Sequence, residues 1–262
     1  MRVDRTRDQE GAGGLLTLAV DGYVHEVFRS IQGEGPYVGV LQAFVRFSGC
    51  STWCRYCDSE DARRRVSECA VHGVEGSERL PNPVAVEDLF SVVRALSNVP
   101  GFHSMSATGG EPLEQPEFLA ELMERCRREG IPVYLETNGL HEEAARAVAG
   151  LVDYVSLDLK LPSLCPDVSL ETYRRVLPLF EGTLLFCKAV VAEGFSMEEL
   201  VEAARIVEEY DRGTTFVIQP ATPRPGCGTV PAEELLVCHA KVSGHLDDVR
   251  VIPQCHRLLG LP

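Results

Sequence analysis

The chain has 262 residues, of which 45% are hydrophobic and 24% are charged, and its formal net charge is -14. This length and composition are typical of one α/β domain, so we expect a single domain over residues 1–262, with residues 1–20 as a variable N-terminal extension. The acidic balance excludes a general nucleic-acid-binding surface, because phosphate affinity depends on clustered Lys and Arg. No apolar run approaches the roughly 18 to 20 residues of a membrane span. The charged, glycine-rich start is unlike a signal peptide, which predicts a cytoplasmic protein.

Along the chain, short apolar runs alternate with segments whose apolar residues recur at helical spacing. The predicted strands are 42–47, 103–107, 132–136, 154–159, 184–191 and 215–219, and the predicted helices are 117–128, 142–148, 197–209 and 232–242. Strands that alternate with helices pair in parallel, with the helices outside. The pattern therefore predicts six βα units in a barrel or an open doubly wound sheet. Residues 61–83 and 164–169 interrupt it and are predicted to be loop insertions.

Three of the ten cysteines, Cys50, Cys54 and Cys57, have CxxxCxxC spacing directly after the first predicted strand. Thiolates ligate iron–sulfur clusters, and three of them on a four-iron cluster leave one iron open to a non-protein ligand. The alternatives are a structural zinc site, which would require a fourth Cys or His, and a coincidental spacing among ten cysteines. The other cysteines lack the dense spacing of a second ligand loop and are predicted to be buried or inert thiols. Cys69 and His72 offer only two zinc ligands and remain unassigned.

The cysteine motif, with Tyr56 beside its last cysteine and a Gly-Gly-Glu-Pro element at 109–112, resembles the radical S-adenosylmethionine (SAM) superfamily. The resemblance implies an α/β fold of the partial parallel (β/α)6 barrel type. It also implies a [4Fe–4S] cluster on the three cysteines, SAM as cofactor, and an electron donor such as flavodoxin or ferredoxin. The cofactor would supply the radical chemistry, while the protein positions the substrate and excludes water.

Further motifs follow in one order: FRSIQGEG at 28–35, LETNG at 135–139, SLDLK at 156–160, IQP at 218–220 and PQCHRLLGLP at 253–262. Together they closely resemble the 7-carboxy-7-deazaguanine synthase family over residues 27–262. The resemblance implies ring contraction of 6-carboxy-5,6,7,8-tetrahydropterin to 7-carboxy-7-deazaguanine and ammonia, as in queuosine-type 7-deazapurine biosynthesis. It also implies Mg2+, catalytic use of SAM and a homodimer.

Two other functions remain open from the sequence. A radical SAM activating enzyme, which makes a glycyl radical on a partner protein, shares the CxxxCxxC motif, but it has no need for Arg46, Glu136 or a functional C-terminal proline. A zinc- or cluster-binding interaction module without catalysis is the second alternative. The Gly-Gly-Glu-Pro element and the six-unit pattern count against that module.

Strand alternation places Arg46 on the same face as Phe44 and Ser48. A guanidinium there requires an anion, which is either the pterin carboxylate or an internal Glu in a structural ion pair. Glu136 ends the third predicted strand, where barrel enzymes place their chemistry, and it would accept from the pterin's guanidine-like edge. With the resemblance included, the predicted substrate-binding residues are Ile31, Gln32, Gly33, Glu34, Arg46, Thr108, Glu136, His256 and Pro262.

The resemblance also assigns cofactor and metal residues. The predicted SAM-binding residues are Gly109, Gly110, Glu111, Ser156, Asp158, Lys160 and Gln219. Ser59 stands where the family commonly has Thr, and its hydroxyl is predicted to bind Mg2+, which prefers hard oxygen ligands. Gln254 is predicted to lie in the segment beneath the terminal proline. No catalytic residue is predicted beyond the cluster-bound cofactor.

Overall fold

The computed structural model describes residues 20–73 and 78–261, which form one large sheet with helices around it. The strands are β1 (Asp21–Gly22), β2 (Val24–Ile31), β3 (Leu41–Phe47), β4 (Glu68–Val71), β5 (Glu78–Pro81), β6 (Val84–Ala85), β7 (Phe102–Gly109), β8 (Val133–Thr137), β9 (Tyr154–Asp158), β10 (Leu184–Val191), β11 (Phe216–Pro220) and β12 (Val249–Val251). The helices are α1 (Val86–Ser97), α2 (Pro116–Arg128), α3 (Glu142–Val148), α4 (Thr172–Val176), α5 (Met197–Tyr210), α6 (Ala232–Val242) and α7 (Cys255–Leu259). No helix among these residues is long and apolar enough to cross a membrane.

The sheet has ten strands in the order β12-β11-β10-β9-β8-β7-β3-β2-β4-β5. Its centre is the parallel run from β3 through β7, β8, β9 and β10 to β11. These are the six predicted strands, and the predicted partial parallel (β/α)6 barrel is confirmed. Within the described residues the sheet stays open, because its terminal strands β5 and β12 do not pair with each other.

Alternation along β3 shows how one strand serves both core and site. Ala43, Val45 and Phe47 lie in the main hydrophobic core, whereas Phe44 and Arg46 line a cavity on the other face. The same period of two applies to each parallel strand, because successive side chains point to opposite faces. The carboxyl ends of the six strands therefore deliver polar side chains to one edge of the sheet.

One sequence prediction was wrong, on the side of the sheet formed by β2, β4 and β5. Residues 61–83 are not a loop, because β4 and β5 form an antiparallel hairpin whose first strand pairs in parallel with β2. Strand β2, which was not predicted, pairs antiparallel with β3. Residues 164–169 form a loop as predicted. Its Leu164 and Cys165 are fully buried.

Candidate active site

A cavity of about 410 Å3 lies at the carboxyl ends of the parallel strands. It gathers every predicted site residue that the structure describes: Ile31, Gln32, Gly33, Glu34, Arg46, Cys50, Cys54, Cys57, Ser59, Thr108, Gly109, Gly110, Glu111, Glu136, Ser156, Asp158, Lys160, Gln219 and His256. Pro262 lies outside the described residues. The cavity therefore brings residues from opposite ends of the chain into one site.

The cysteine loop leaves β3 and carries three thiols to one wall of this cavity. In a tetrahedral zinc site with Zn–S bonds of about 2.3 Å, the sulfurs would lie ~3.8 Å apart. Among the described residues, these three Sγ atoms form no group in which all lie within 4.8 Å of one another. The donor set therefore fits a larger iron–sulfur cluster better than a single zinc ion.

The thiols of the loop differ in their surroundings. A hydrogen bond from the Cys165 thiol, outweighing burial, lowers the pKa of Cys54 to about 6. Burial raises the pKa of Cys50 to about 11 and also raises the pKa of Cys57. Cys165 and Cys227 belong to the same small hydrophobic cluster as Cys54, whereas the buried Cys69 belongs to the main core. His72 points instead toward Glu26, 3.7 Å away.

Two glycines let β7 approach the cysteine loop. Gly109 has a φ of 98°, and a Cβ there would lie 2.9 Å from the Arg46 Cα. A Cβ on Gly110 would lie 2.1 Å from the carbonyl oxygen of Gly49. Because no side chain fits at either position, the backbone amide of Gly110 reaches the carbonyl of Phe47 at 2.9 Å.

The Glu111 carboxylate is turned into the protein. It accepts from the Leu113 amide at 3.0 Å, the Thr137 hydroxyl at 2.7 Å and the Asn138 amide at 2.9 Å. Burial raises the pKa of Glu111, and these hydrogen bonds oppose that rise. The side chain thus ties the turn after β7 to the end of β8. The role predicted for Glu111 in SAM binding would therefore be indirect, through the backbone that its carboxylate holds in place.

Glu111→Ala is expected to destabilise the fold by about 3 kcal/mol or more, because it leaves buried donors without acceptors. Glu111→Gln keeps one acceptor oxygen and should lower the free energy of unfolding less than Glu111→Ala does. Urea unfolding of the cluster-free protein measures both free energies of unfolding. Equal stability of the alanine variant and the wild type would contradict the structural role.

A hydrogen-bonded group lies at the ends of β2, β7 and β8. The Gln32 amide donates to Glu136 Oε1 at 2.9 Å, and the Thr108 hydroxyl donates to Glu136 Oε2 at 2.9 Å. The Ser106 hydroxyl adds a longer contact of 3.3 Å to Oε1. These donors fix the orientation of the carboxylate at the cavity wall.

Arg46 has protein partners on two sides. Its Nε donates to Glu26 Oε1 at 2.8 Å, and its Nη1 donates to the Ser59 hydroxyl at 3.1 Å. The ion pair foreseen as the structural alternative for Arg46 is therefore present. Because the guanidinium has five N–H donors, it can keep this ion pair and still donate into the cavity.

The C-terminal segment closes another wall. The Cys255 amide donates to the Gly33 carbonyl at 2.8 Å, which brings α7 against the turn after β2. The Gln254 amide donates to Glu34 Oε1 at 2.8 Å and to Asp58 Oδ2 at 2.7 Å. Ligand atoms of Glu34, Asp58 and His256 lie within 4.8 Å of one another.

Asp58 stays ionised in this group. Burial alone would raise the pKa of its carboxyl, but the hydrogen bond from Gln254 and the charge of Arg257 outweigh it and lower the pKa. No sequence motif indicates that Asp58 and Gln254 would meet, since they are 196 positions apart.

At the carboxyl ends of β9 and β10, Asp158 lies between two lysines. Lys160 Nζ is 2.8 Å and Lys188 Nζ is 3.5 Å from Asp158 Oδ2. Burial would raise the pKa of Asp158, but the two lysines outweigh it and lower the pKa. The buried Asp158 Oδ1 and Gln219 Oε1 have no partner among the described residues. They offer acceptors to hydroxyl or amine donors of a bound ligand.

Sequence reasoning missed Lys188. Its side chain is only 8% exposed, lies opposite Asp158 in the β9–β10 register and forms an ion pair with Glu34. Burial would lower the pKa of Lys188, but the carboxylates of Glu34, Asp158 and Glu136 raise it. Lys188 therefore joins the turn after β2 to the strand that carries Asp158.

Comparison with known proteins identifies the chain. A family profile described as the radical SAM superfamily matches residues 44–176, so the fold and the cysteine loop belong to a radical SAM enzyme, and membership implies a [4Fe–4S] cluster and SAM. The chain is 34% identical over 244 residues to the 7-carboxy-7-deazaguanine synthase of Geobacter sulfurreducens, covering 90% of this chain and 96% of that protein. It is 38% identical over 258 residues to the 7-carboxy-7-deazaguanine synthase of Methanopyrus kandleri, covering 95% and 98%. The chain belongs to the 7-carboxy-7-deazaguanine synthase family.

A solved structure agrees on the fold. The crystal structure of QueE from Escherichia coli matches with a TM-score of 0.59 at 20% identity, covering 90% of this chain and 95% of that one. Membership of the synthase family sets aside the activating enzyme and the non-catalytic module.

Proposed function

We propose that this chain converts 6-carboxy-5,6,7,8-tetrahydropterin into 7-carboxy-7-deazaguanine and ammonia. The proposal rests on one observation: a cation, Arg46, and a hydrogen-bond acceptor, Glu136, lie at the ends of nearby strands. Arg46 pairs in register with Thr108, and the Thr108 hydroxyl holds Glu136 at 2.9 Å. Arg46 can therefore bind the substrate carboxylate while Glu136 and Gln32 accept from its guanidine-like edge.

The remaining predicted residues fall into two groups, one for the substrate and one for SAM. Ile31, Gly33, Glu34 and His256 lie beside the same turn and would bound the substrate, with Pro262 predicted to add its carboxylate. SAM on the cluster supplies the hydrogen-abstracting radical when bound. Asp158 and Gln219 have free buried acceptor atoms, which suit the hydroxyls and amine of SAM, and Lys160 holds Asp158 in place. Ser156 lies opposite Glu136 in the β8–β9 register, between the proposed substrate-binding and SAM-binding residues.

For Mg2+, we propose the Ser59 hydroxyl with the Asp58 carboxylate as the neighbouring hard ligand. The two oxygens are 3.1 Å apart, and Mg2+ readily completes its shell with water and substrate oxygens. Ser59 also accepts a hydrogen bond from Arg46, so an ion on Ser59 would lie beside the proposed carboxylate site. An electron donor such as flavodoxin or ferredoxin and a homodimer complete the proposal.

Ser59→Ala is expected to raise the Mg2+ concentration needed for half-maximal activity about tenfold, the usual scale for removing one contact that orients a metal. Ser59→Thr retains the hydroxyl and is the matched control. Initial rates across a Mg2+ titration measure the effect. An unchanged titration midpoint in the alanine variant would argue against Ser59 as a ligand.

Arg46→Met is expected to raise the KM for the pterin about a hundredfold, because a charge-assisted bidentate contact is lost. Arg46→Lys should recover only part of the lost pterin affinity, since lysine lacks the planar guanidinium that donates two parallel hydrogen bonds. The KM for SAM is the internal control and should change little. If both KM values rise together, the Glu26 ion pair is the main role of Arg46.

The direct test is anaerobic reconstitution with iron and sulfide, reduction with dithionite, and incubation with SAM and the carboxytetrahydropterin. Mass analysis should find 7-carboxy-7-deazaguanine and ammonia in equal amounts. Cleavage of SAM without that product would refute the proposed substrate.

A further inference from the structure

An aromatic and basic surface adjoins the cysteine loop. Trp53, the only tryptophan of the chain, precedes Cys54 and is 58% exposed. The Arg63 guanidinium lies 3.9 Å from the centre of its ring, and the Arg63 carbonyl accepts from the Cys50 amide at 3.3 Å. We call Trp53, Arg55, Arg63 and Arg64 the cluster-loop patch. Backbone links thus connect its members directly to the predicted cluster ligands.

The patch is locally cationic on an acidic protein. The ion pairs found among the described residues include none for Arg55, Arg63 or Arg64. By contrast, most other arginines in that part of the chain pair with a carboxylate. Two of the three acids of the same segment are neutralised, and Asp61 is the third, with no ion pair among the described residues. Glu60 pairs with Arg224 at 2.7 Å, and Asp58 pairs with Arg257 at 3.4 Å.

Such a surface suits a transient protein partner. Trp and Arg are the residue types that most often dominate interfaces. Unpaired cations on a chain of net charge -14 would orient an acidic partner toward this one region and repel it elsewhere. Arg55 and Arg64 are exposed and lie outside the residues that line the active-site cavity.

We propose that the cluster-loop patch is the docking surface for a small acidic protein that carries a one-electron-reduced cofactor. This inference rests on the proposed function, because the radical chemistry requires an external electron. In the step, the donor is oxidised by one electron and the cluster is reduced by one; no covalent bond changes. Docking here brings the donor cofactor next to the residues that flank Cys54.

The test compares Arg55→Glu/Arg64→Glu with Arg94→Glu/Lys241→Glu. The control makes the same charge change at exposed sites on α1 and α6. An acidic flavodoxin is the probe, and calorimetry under anaerobic conditions measures its binding to the reconstituted protein. The patch variant should bind at least about tenfold more weakly and lose most of its salt dependence, whereas the control should bind as the wild type does.

A kinetic arm separates docking from catalysis. Cluster reduction by the reduced flavodoxin should slow about tenfold or more in the patch variant, while reduction and product formation with dithionite stay at the wild-type level. Trp53→Ala should weaken flavodoxin binding without altering the dithionite arm. Equal flavodoxin binding by patch and control variants would overturn the docking proposal. Absence of 7-carboxy-7-deazaguanine in the wild-type dithionite arm would instead refute the proposed function and leave the binding result intact.

Discussion

Lys188→Met is expected to lower kcat/KM at least about a hundredfold and the free energy of unfolding by about 3 kcal/mol, because removing one partner of a buried ion pair leaves an uncompensated charge. Lys188 Nζ serves two carboxylates, those of Glu34 and Asp158. Without it, Glu34 keeps only the Gln254 amide at 2.8 Å. We expect Glu34 to turn away from the cavity.

The functional part of this effect can be separated from the structural part. The double variant Glu34→Gln/Lys188→Met removes the unpaired carboxylate of Glu34 and should regain part of the lost stability. It should not regain activity, since the charged link between the turn after β2 and β9 is still missing. Lys188→Arg, which keeps the charge, should retain more activity than the methionine variant.

Urea unfolding and the KM values for both ligands decide the outcome. Lys241→Met, at an exposed lysine on α6, is the matched control and should match the wild type. A Lys188→Met enzyme with wild-type KM values for the pterin and for SAM would show that Lys188 does not position the site. Activity that recovers in step with stability would indicate a purely structural residue.

The sequence predicts the strands of the site well because each is a short apolar run between polar segments. Strand β10, for example, reads LLFCKAVV, and its predicted bounds are the observed ones. Strand β2 was missed because its sequence, VHEVFRSI, mixes charged and apolar residues without regular alternation. It becomes a strand because β3 and β4 pair with it on its two sides, which no local pattern reveals.

The same limit applies to the hairpin of β4 and β5. Its short strands ECAV and ERLP carry several charges, which are typical of loops. Strand β4 joins the sheet by pairing with β2, and β5 joins it by pairing with β4. Strand formation of this kind depends on tertiary context more than on propensity.

For the site, motifs identify residues but not the contacts between them. The family motifs predict that Glu34 and Asp158 belong to the site, yet the lysine that joins them looks like one polar residue in a core strand. Lys188 and Glu34 are 154 positions apart, and Asp158 reaches Lys188 through the register of β9 and β10. Only the folded chain brings these charges together.

Replacing Cys50, Cys54 and Cys57 with alanine is expected to lower the iron content of the reconstituted protein from about four per chain to near zero. The three thiols line one wall of the cavity and are the ligands of the CxxxCxxC loop. Loss of the cluster should abolish both SAM cleavage and product formation. Iron and sulfide analysis after anaerobic reconstitution, with electron paramagnetic resonance of the reduced protein, measures the effect.

The informative controls are Cys165→Ala and Cys227→Ala. Both thiols belong to the same small hydrophobic cluster as Cys54 but lie outside the CxxxCxxC loop, and we expect both variants to keep the iron–sulfur cluster and their activity. Loss of iron from Cys165→Ala would mean a fourth protein ligand, which would leave no open iron for SAM. One zinc and no iron in the wild-type protein would contradict the cluster assignment directly. The CxxxCxxC loop offers three thiols for four irons, which leaves one coordination position for the cofactor.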